Sequence, residues 1–274
     1  MVDARSHAKR GVSLTLTVLF VAVCVGVGIM LGMRVWGHLL PWGVTPEAPA
    51  AEQPATTTGE LPARQVSYTP WDASESPQYF RVVGKAVVDV DIPAGQIWYA
   101  PLDALGRTVR AAGTIDAPIM EAGLARERGN LMGHDPSGWG HNAETDIALP
   151  DGGTYHGHLW NRSHLVAKSL GGSDEVENLV CATRMENVGA NDGEGGMAYG
   201  EDLVRTWLRG HRDGSVFYSA TPAYEGNELV CRSVIVDIRS SDGSLDLEIE
   251  VYNAALGHRI DYVTGEWRLE TPGA

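Results

Sequence analysis

The chain has 274 residues, 21 basic against 35 acidic, and a formal charge of −14. That length allows one large domain or two small ones. The acidity argues against tight, non-specific binding to a polyanion, because such binding draws its affinity from cations neutralising phosphates. It leaves room for weak, turnover-type contact, since bulk charge does not set the field inside a groove.

Residues 1–11 carry Arg5, Lys9 and Arg10, and Val12 to Met33 is an uncharged, mostly apolar run. Such a run is about long enough to cross a bilayer as a helix. With only Arg34 following closely, the charge bias places the N-terminus in the cytoplasm and the remainder outside. The expected arrangement is a single-pass membrane anchor. The alternative is secretion after cleavage of a signal peptide, but the apolar run is long for one, and the nearest Ala-Pro-Ala, Ala48–Ala50, lies far downstream. Residues 34–67 are expected to be a linker, rich in Pro, Ala, Thr and Glu from 41 to 66 and without an apolar period.

A folded extracytoplasmic domain is expected over 68–274. After Thr69 the chain holds 16 basic and 31 acidic residues, a formal −15, with many acids between Asp237 and Glu250. Arg81–Val90 is β-branched and predicts a strand. Ile97–Ile115 predicts two strands with a turn at Leu105-Gly106-Arg107. Residues 128–153, full of Gly, Asp, Asn and Pro, predict a loop. Thr154–Trp160 predicts an extended run, Gly171–Asp174 a turn and Val176–Thr183 a short strand. Met197, Leu203, Val204, Trp207 and Leu208 fall at helical spacing, and the helix is expected to stop at Arg209-Gly210. Three strands follow, Ser215–Ala220, Leu229–Ile238 and Leu245–Tyr252, and Asp261–Trp267 predicts a closing hairpin. The expected fold class is α+β around a central, mostly antiparallel sheet. Cys181 and Cys231 lie in two apolar strand-like runs and would either pair outside the membrane or stay as buried thiols.

The chemistry concentrates in Leu159-Trp-Asn-Arg-Ser-His164-Leu-Val and in the Asn and Glu residues after it. Arg162 suits phosphate, and His164 can accept a proton from water near neutral pH. Asn178, Asn187, Asn191 and Glu201 offer the hard oxygen donors that a divalent cation takes. A base, a phosphate-binding cation and a metal seat are the parts of a metal-assisted phosphodiester hydrolase. Two rival readings stand beside it. His156 and His158 share one strand face, with His134 and His141 upstream, and could serve a zinc hydrolase. A non-catalytic surface protein that binds DNA would also fit the loop-rich 128–153 segment.

The run Asn161-Arg162-Ser163-His164 resembles the Asp-Arg-Gly-His motif of the bacterial DNA/RNA non-specific endonucleases. These belong to the His-Me finger (ββα-metal) superfamily, and the likeness is to the streptodornase-type and membrane-anchored DNA-uptake nucleases. It continues through Leu165–Gly172, Glu177–Val180, Thr183–Gly189 and Gly196–Glu201, and through Leu102–Arg107 and Asp261–Glu266 on either side. The resemblance implies a ββα-metal active-site motif, with His164 as general base and Asn187 as the protein ligand of one Mg²⁺, for which Mn²⁺ could substitute. It implies that Glu201 holds metal-bound waters, that Asn178 is a second site asparagine, and that Arg162 and Arg107 face phosphate. It further implies 5′-phosphate and 3′-hydroxyl products from DNA, RNA being a second candidate substrate, and admits a DNA-uptake or inhibitor protein as partner. Asn161 and Ser163 depart from the motif's Asp and Gly. Ser163 implies a backbone that does not need a positive φ there.

Overall fold

The computed structural model describes residues 61, 62, 64–190 and 193–270. The apolar segment 12–33 and Asn191 lie outside the described residues. Among those described, no helix is long and apolar enough to cross a membrane.

In chain order the strands are β1 (Phe80–Gly84), β2 (Gln96–Tyr99), β3 (Ala111–Asp116), β4 (Glu144–Ala148), β5 (Thr154–His158), β6 (Trp160–His164), β7 (Leu179–Thr183), β8 (Ser215–Ala223), β9 (Ser233–Ser240), β10 (Asp246–Tyr252), β11 (His258–Ile260) and β12 (Trp267–Leu269). Helix α1 (Ala117–Ala125) follows β3, while α2 (Arg184–Val188) and α3 (Gly196–Gly210) follow β7. Six strands form one sheet in the order β1-β10-β9-β8-β3-β2, with every neighbouring pair antiparallel. The α+β expectation holds.

Side-chain alternation sorts the sheet into two faces. Tyr218 on β8, Val236 and Ile238 on β9 and Ile249 on β10 pack in one core with Met197, Val204 and Leu208 of α3. Val204 and Leu208 are fully buried, and burial of each contributes roughly 1.5–3 kcal/mol. The alternate residues face the other way and are polar. Arg64 pairs with Asp237 and Glu248, Arg81 with Glu250, and Arg110 with Asp89 and the Ser219 hydroxyl. Coverage on both faces explains why β8 and β9 are buried along almost their whole length, polar residues included.

The N-terminal boundary differs from expectation. Leu61 is buried with Ile92, Ala100 and Ala112, and Arg64 belongs to the ion-pair lattice. Leu61 and Arg64 therefore belong to the folded domain, which begins before Tyr68. Polar composition hid this, because the segment binds mostly through its arginine.

Three elements differ in detail. Helix α1 was not foreseen, because its residues are apolar around most of its circumference and carry no stripe. Asp116 caps it, its carboxylate accepting from Ile119 N at 3.0 Å, and a proline sits in the first turn. Strand β4 lies inside the expected loop and pairs with β5. The extended run around residue 159 is two strands, β5 and β6, which belong to different sheets.

The β6–β7 hairpin carries the candidate chemistry. Its register runs from Trp160 opposite Thr183 to His164 opposite Leu179, and α2 leaves directly from β7. Thr183 caps α2, its hydroxyl accepting from Glu186 N. Gly196 then turns the chain into α3 with φ +56°, where a Cβ would lie 2.1 Å from the Glu186 carbonyl oxygen. No other residue fits that junction.

Candidate active site

Strand β6 delivers Arg162 and His164, α2 delivers Asn187, and α3 delivers Glu201 to one cleft of about 770 Å³. Asn161, Trp139, Asn142, Arg128, Lys168 and Asp174 line the same cleft. Four of the six expected site residues are brought together.

His164 ends β6 with its side chain 20% exposed, and its Nε2 lies 2.8 Å from Asp174 Oδ1. Burial holds its pKa below the ordinary histidine value. The Asp174 hydrogen bond and charge oppose that, and Arg126 and Arg128 reinforce it. The imidazole is therefore neutral at pH 7. A carboxylate acceptor on Nε2 assigns the proton to that nitrogen and leaves the Nδ1 lone pair free to accept one. Asp174 is a site residue that sequence reasoning read only as part of a turn. The one signal was an acid placed shortly after the histidine.

Asn187 and Glu201 form the oxygen-rich end of the cleft. Ser163 Oγ donates to Asn187 Oδ1 at 3.3 Å. Thus the serine that replaces the motif's glycine touches the candidate ligand, and its φ is not positive. Glu201 is mostly buried, and burial pushes its carboxyl up to about 7 against the pull of Arg205, 3.4 Å away. Next to Asn187, the fully buried Glu186 is pushed up by burial to about 8, with Glu201 adding to the shift and Ser163 opposing it. An amide oxygen beside an under-compensated carboxyl is a hard donor set with a deficit of positive charge. Those features suit a hard divalent cation, with Asn187 and Glu201 as the residues that would hold it and its waters.

The cations divide into tied and free. Arg162 is tied: its Nε donates to Asp135 Oδ1 at 2.8 Å, and its guanidinium stacks 4.0 Å from the Trp139 ring centroid. Arg126, behind the cleft, is shared between the Gly172 carbonyl and Asp174. Arg128 and Lys168 line the cleft and have no ion pair among the described residues. Lys168 is set in place by a close approach of α1, where a Cβ on Gly123 would lie 2.3 Å from the Lys168 carbonyl oxygen. Neither cation was singled out from sequence, although Lys168 lies inside the run after His164.

Two expected site residues stand elsewhere. Arg107 does not line the cleft. It bonds Asp103 and the carbonyls of Gly226 and Glu228, and stacks 4.5 Å from the Tyr224 ring centroid. With its guanidinium occupied in this way, it braces loops rather than facing phosphate. Asn178 is fully buried, its Oδ1 accepting from Val166 N and its Nδ2 donating to the Val166 and Ser173 carbonyls. It clamps the loop that carries Asp174 and reaches the site only through that loop.

The zinc alternative finds no nest of ligands. His156 Nδ1 is 2.5 Å from Asp146, both well exposed, while His158 turns up in the cleft wall. Among the described residues no group of three or more His, Cys, Asp or Glu side chains stands close enough to hold a metal. Cys181 and Cys231 are buried free thiols, which burial holds above the ordinary cysteine range.

The comparisons with known proteins agree with this geometry. A family profile described as DNA/RNA non-specific endonuclease matches residues 89–242. A deoxyribonuclease of Streptococcus dysgalactiae subsp. equisimilis is 29% identical over 233 residues, covering 73% of this chain and 71% of that protein. The structure of Sda1 nuclease with bound zinc superposes with a TM-score of 0.70 at 31% identity, over 73% of this chain and all of that one. NucA from Streptococcus agalactiae, with magnesium bound, shares the fold at a TM-score of 0.55 and 22% identity, covering 70% of this chain and 89% of that one. With the profile spanning more than half of the sequence and the β6–β7–α2 unit in place, this chain belongs to the DNA/RNA non-specific endonuclease family.

Proposed function

We propose that this chain is a Mg²⁺-dependent endonuclease that hydrolyses phosphodiester bonds of DNA, and of RNA as a second substrate. One observation carries the reading: His164, its Nε2 proton fixed by Asp174, shares a cleft with Asn187 and Glu201. The His164 Nδ1 removes a proton from a water, and that oxygen forms a bond to phosphorus as the bond to the 3′ oxygen breaks. The leaving 3′ oxygen takes a proton from solvent water and His164 returns its own to solvent, so the products carry 5′-phosphate and 3′-hydroxyl ends. Arg128 and Lys168 hold the non-bridging oxygens, and the imidazolium that forms is stabilised by Asp174. A divalent cation at Asn187 and Glu201 would neutralise charge on the phosphoryl and leaving oxygens.

Support for DNA comes from the deoxyribonuclease relative, and support for a bound cation from the zinc in Sda1 nuclease. Magnesium is preferred here because the donor set is amide and carboxylate oxygen. Residues 12–33 support a membrane anchor with the catalytic domain outside, which protease digestion of intact cells would test by removing the domain.

The catalytic reading is tested with the full chain on supercoiled plasmid, in chelator and in a series of Mg²⁺, Mn²⁺ and Zn²⁺. Cleavage should need added metal and be best supported by Mg²⁺. His164→Ala should lose at least about 100-fold in rate, the usual contribution of a general base, while melting at a near-native temperature. Equal turnover by His164→Ala would place the base elsewhere.

A further inference from the structure

Most arginines of the domain are committed to its own carboxylates. Arg239 faces Asp246 across β9 and β10, and Arg209 ends α3, where the helix dipole favours a cation. Arg259 on β11 and Arg268 on β12, outside the cleft, differ from these in standing together. Both are exposed, and neither has an ion pair among the described residues. In the hairpin register they stand directly opposite each other. Like charges in that position destabilise a strand pair. No carboxylate closes an ion pair on either among the described residues, although Asp261 and Glu266 stand two residues nearer the turn on the same face.

The hairpin is fixed to the cleft wall. Trp160 Nε1 donates to the Gly265 carbonyl at 3.1 Å, and Trp267 Nε1 to the His141 carbonyl at 2.9 Å. Trp160, Trp139 and Asn142 line the cleft, so one loop carries both surfaces. Beside the arginines runs a recess of about 730 Å³ edged by Arg232, Tyr262 and Trp267. Of its acids, Glu228 is bonded to Arg232, and Asp261 accepts from Val263 N in the hairpin turn. Glu266 sits at the turn end opposite Asp261, and Arg259 and Arg268 form the next pair on that face.

We propose that Arg259 and Arg268 form a second phosphate-binding surface, outside the cleft. It holds the backbone of a long nucleic-acid strand whose scissile bond lies at His164. The assignment rests on the nuclease reading for its occupant, and it accounts for two arginines set directly opposite each other, neither in an ion pair among the described residues.

The test is R259Q/R268Q in the full chain, with long DNA and the small diester bis(p-nitrophenyl) phosphate as substrates. On long DNA KM should rise with kcat unchanged. The slope of log kcat/KM against log salt should become shallower by about 1.8, two phosphate contacts' worth. Hydrolysis of the small diester should not change, and the melting temperature should hold or rise as the like-charge contact is removed. Unchanged KM and salt slope on long DNA would overturn the proposal, as would an equal loss on the small diester. Binding of a labelled duplex in chelator separates this from the nuclease reading. If wild type cleaves nothing, the catalytic reading fails. The surface still stands or falls on whether the double variant binds the duplex more weakly.

Discussion

Replacing Asp174 with Asn keeps the size of the side chain and removes its charge. In the wild type one carboxylate oxygen accepts from His164 Nε2 at 2.8 Å. The amide can turn its NH₂ toward that nitrogen, which moves the imidazole proton to Nδ1 and blocks the base. It also removes the counter-charge to the imidazolium formed on the way to products. A hydrogen bond to a charged group contributes about 1.5–3 kcal/mol net, so kcat should fall roughly 10- to 150-fold. KM should change little, because the carboxylate acts on the histidine and not on the substrate. The pH profile adds a second readout. Asp174 is what raises the His164 pKa, while burial, Arg126 and Arg128 lower it. Without Asp174 only the lowering influences remain. The base then stays neutral to lower pH, so the acid limb of kcat/KM should move down, not up. The assay is plasmid cleavage at saturating Mg²⁺ across pH, with melting temperature as the control for folding. A variant with wild-type kcat, or with its acid limb moved to higher pH, would refute the reasoning.

Asn178→Ala should act on stability first. It strips partners from Val166 N and from the Val166 and Ser173 carbonyls, and each buried group left unsatisfied costs about 1–3 kcal/mol. Urea unfolding should show that loss, and an unchanged midpoint would mean the loop is held by other contacts. Arg107→Ala should lower the melting temperature through the freed Asp103 and the Gly226 and Glu228 carbonyls, with turnover per folded molecule unchanged. Normal stability with lost turnover would return Arg107 to the phosphate.

Legibility followed the kind of signal each residue carries. Helix α3 was readable to its last residue because one face is apolar and a glycine ends it. Helix α1 was not, because apolar residues on its exposed as well as its buried side leave no period to read. Strand β4 was masked by glycine-rich flanks, and its partner β5 was run together with β6 because adjacent strands of different sheets look like one extended segment. In the site, His164, Arg162, Asn187 and Glu201 sit on regular elements, where spacing tells which way a side chain faces. Asp174, Arg128 and Lys168 come from loops and a short turn, whose course is set by tertiary contacts such as the Asn178 clamp. Arg107 and Asn178 show the converse failure. Both are polar residues near motif positions, and their role is decided by hydrogen-bond partners distant in sequence or hidden in the core.

The formal −14 looked like an obstacle to handling a polyanion, and the fold shows how it is accommodated. Asp237, Glu248 and Glu250 lie on the sheet face turned away from α3, locked to Arg64 and Arg81. Within the cleft the cations are only partly free: Arg162 is held by Asp135, whereas Arg128 and Lys168 are unpaired among the described residues. Such a site binds the substrate's ground state weakly. That weakness favours turnover, because attraction spent equally on substrate and transition state lowers KM without raising kcat. On the proposed mechanism, stabilisation is instead concentrated where charge develops, at the His164–Asp174 pair and at a cation held by Asn187 and Glu201. On the proposal above, a long substrate is then retained by contacts away from the reacting bond, at Arg259 and Arg268, which have no ion pair among the described residues.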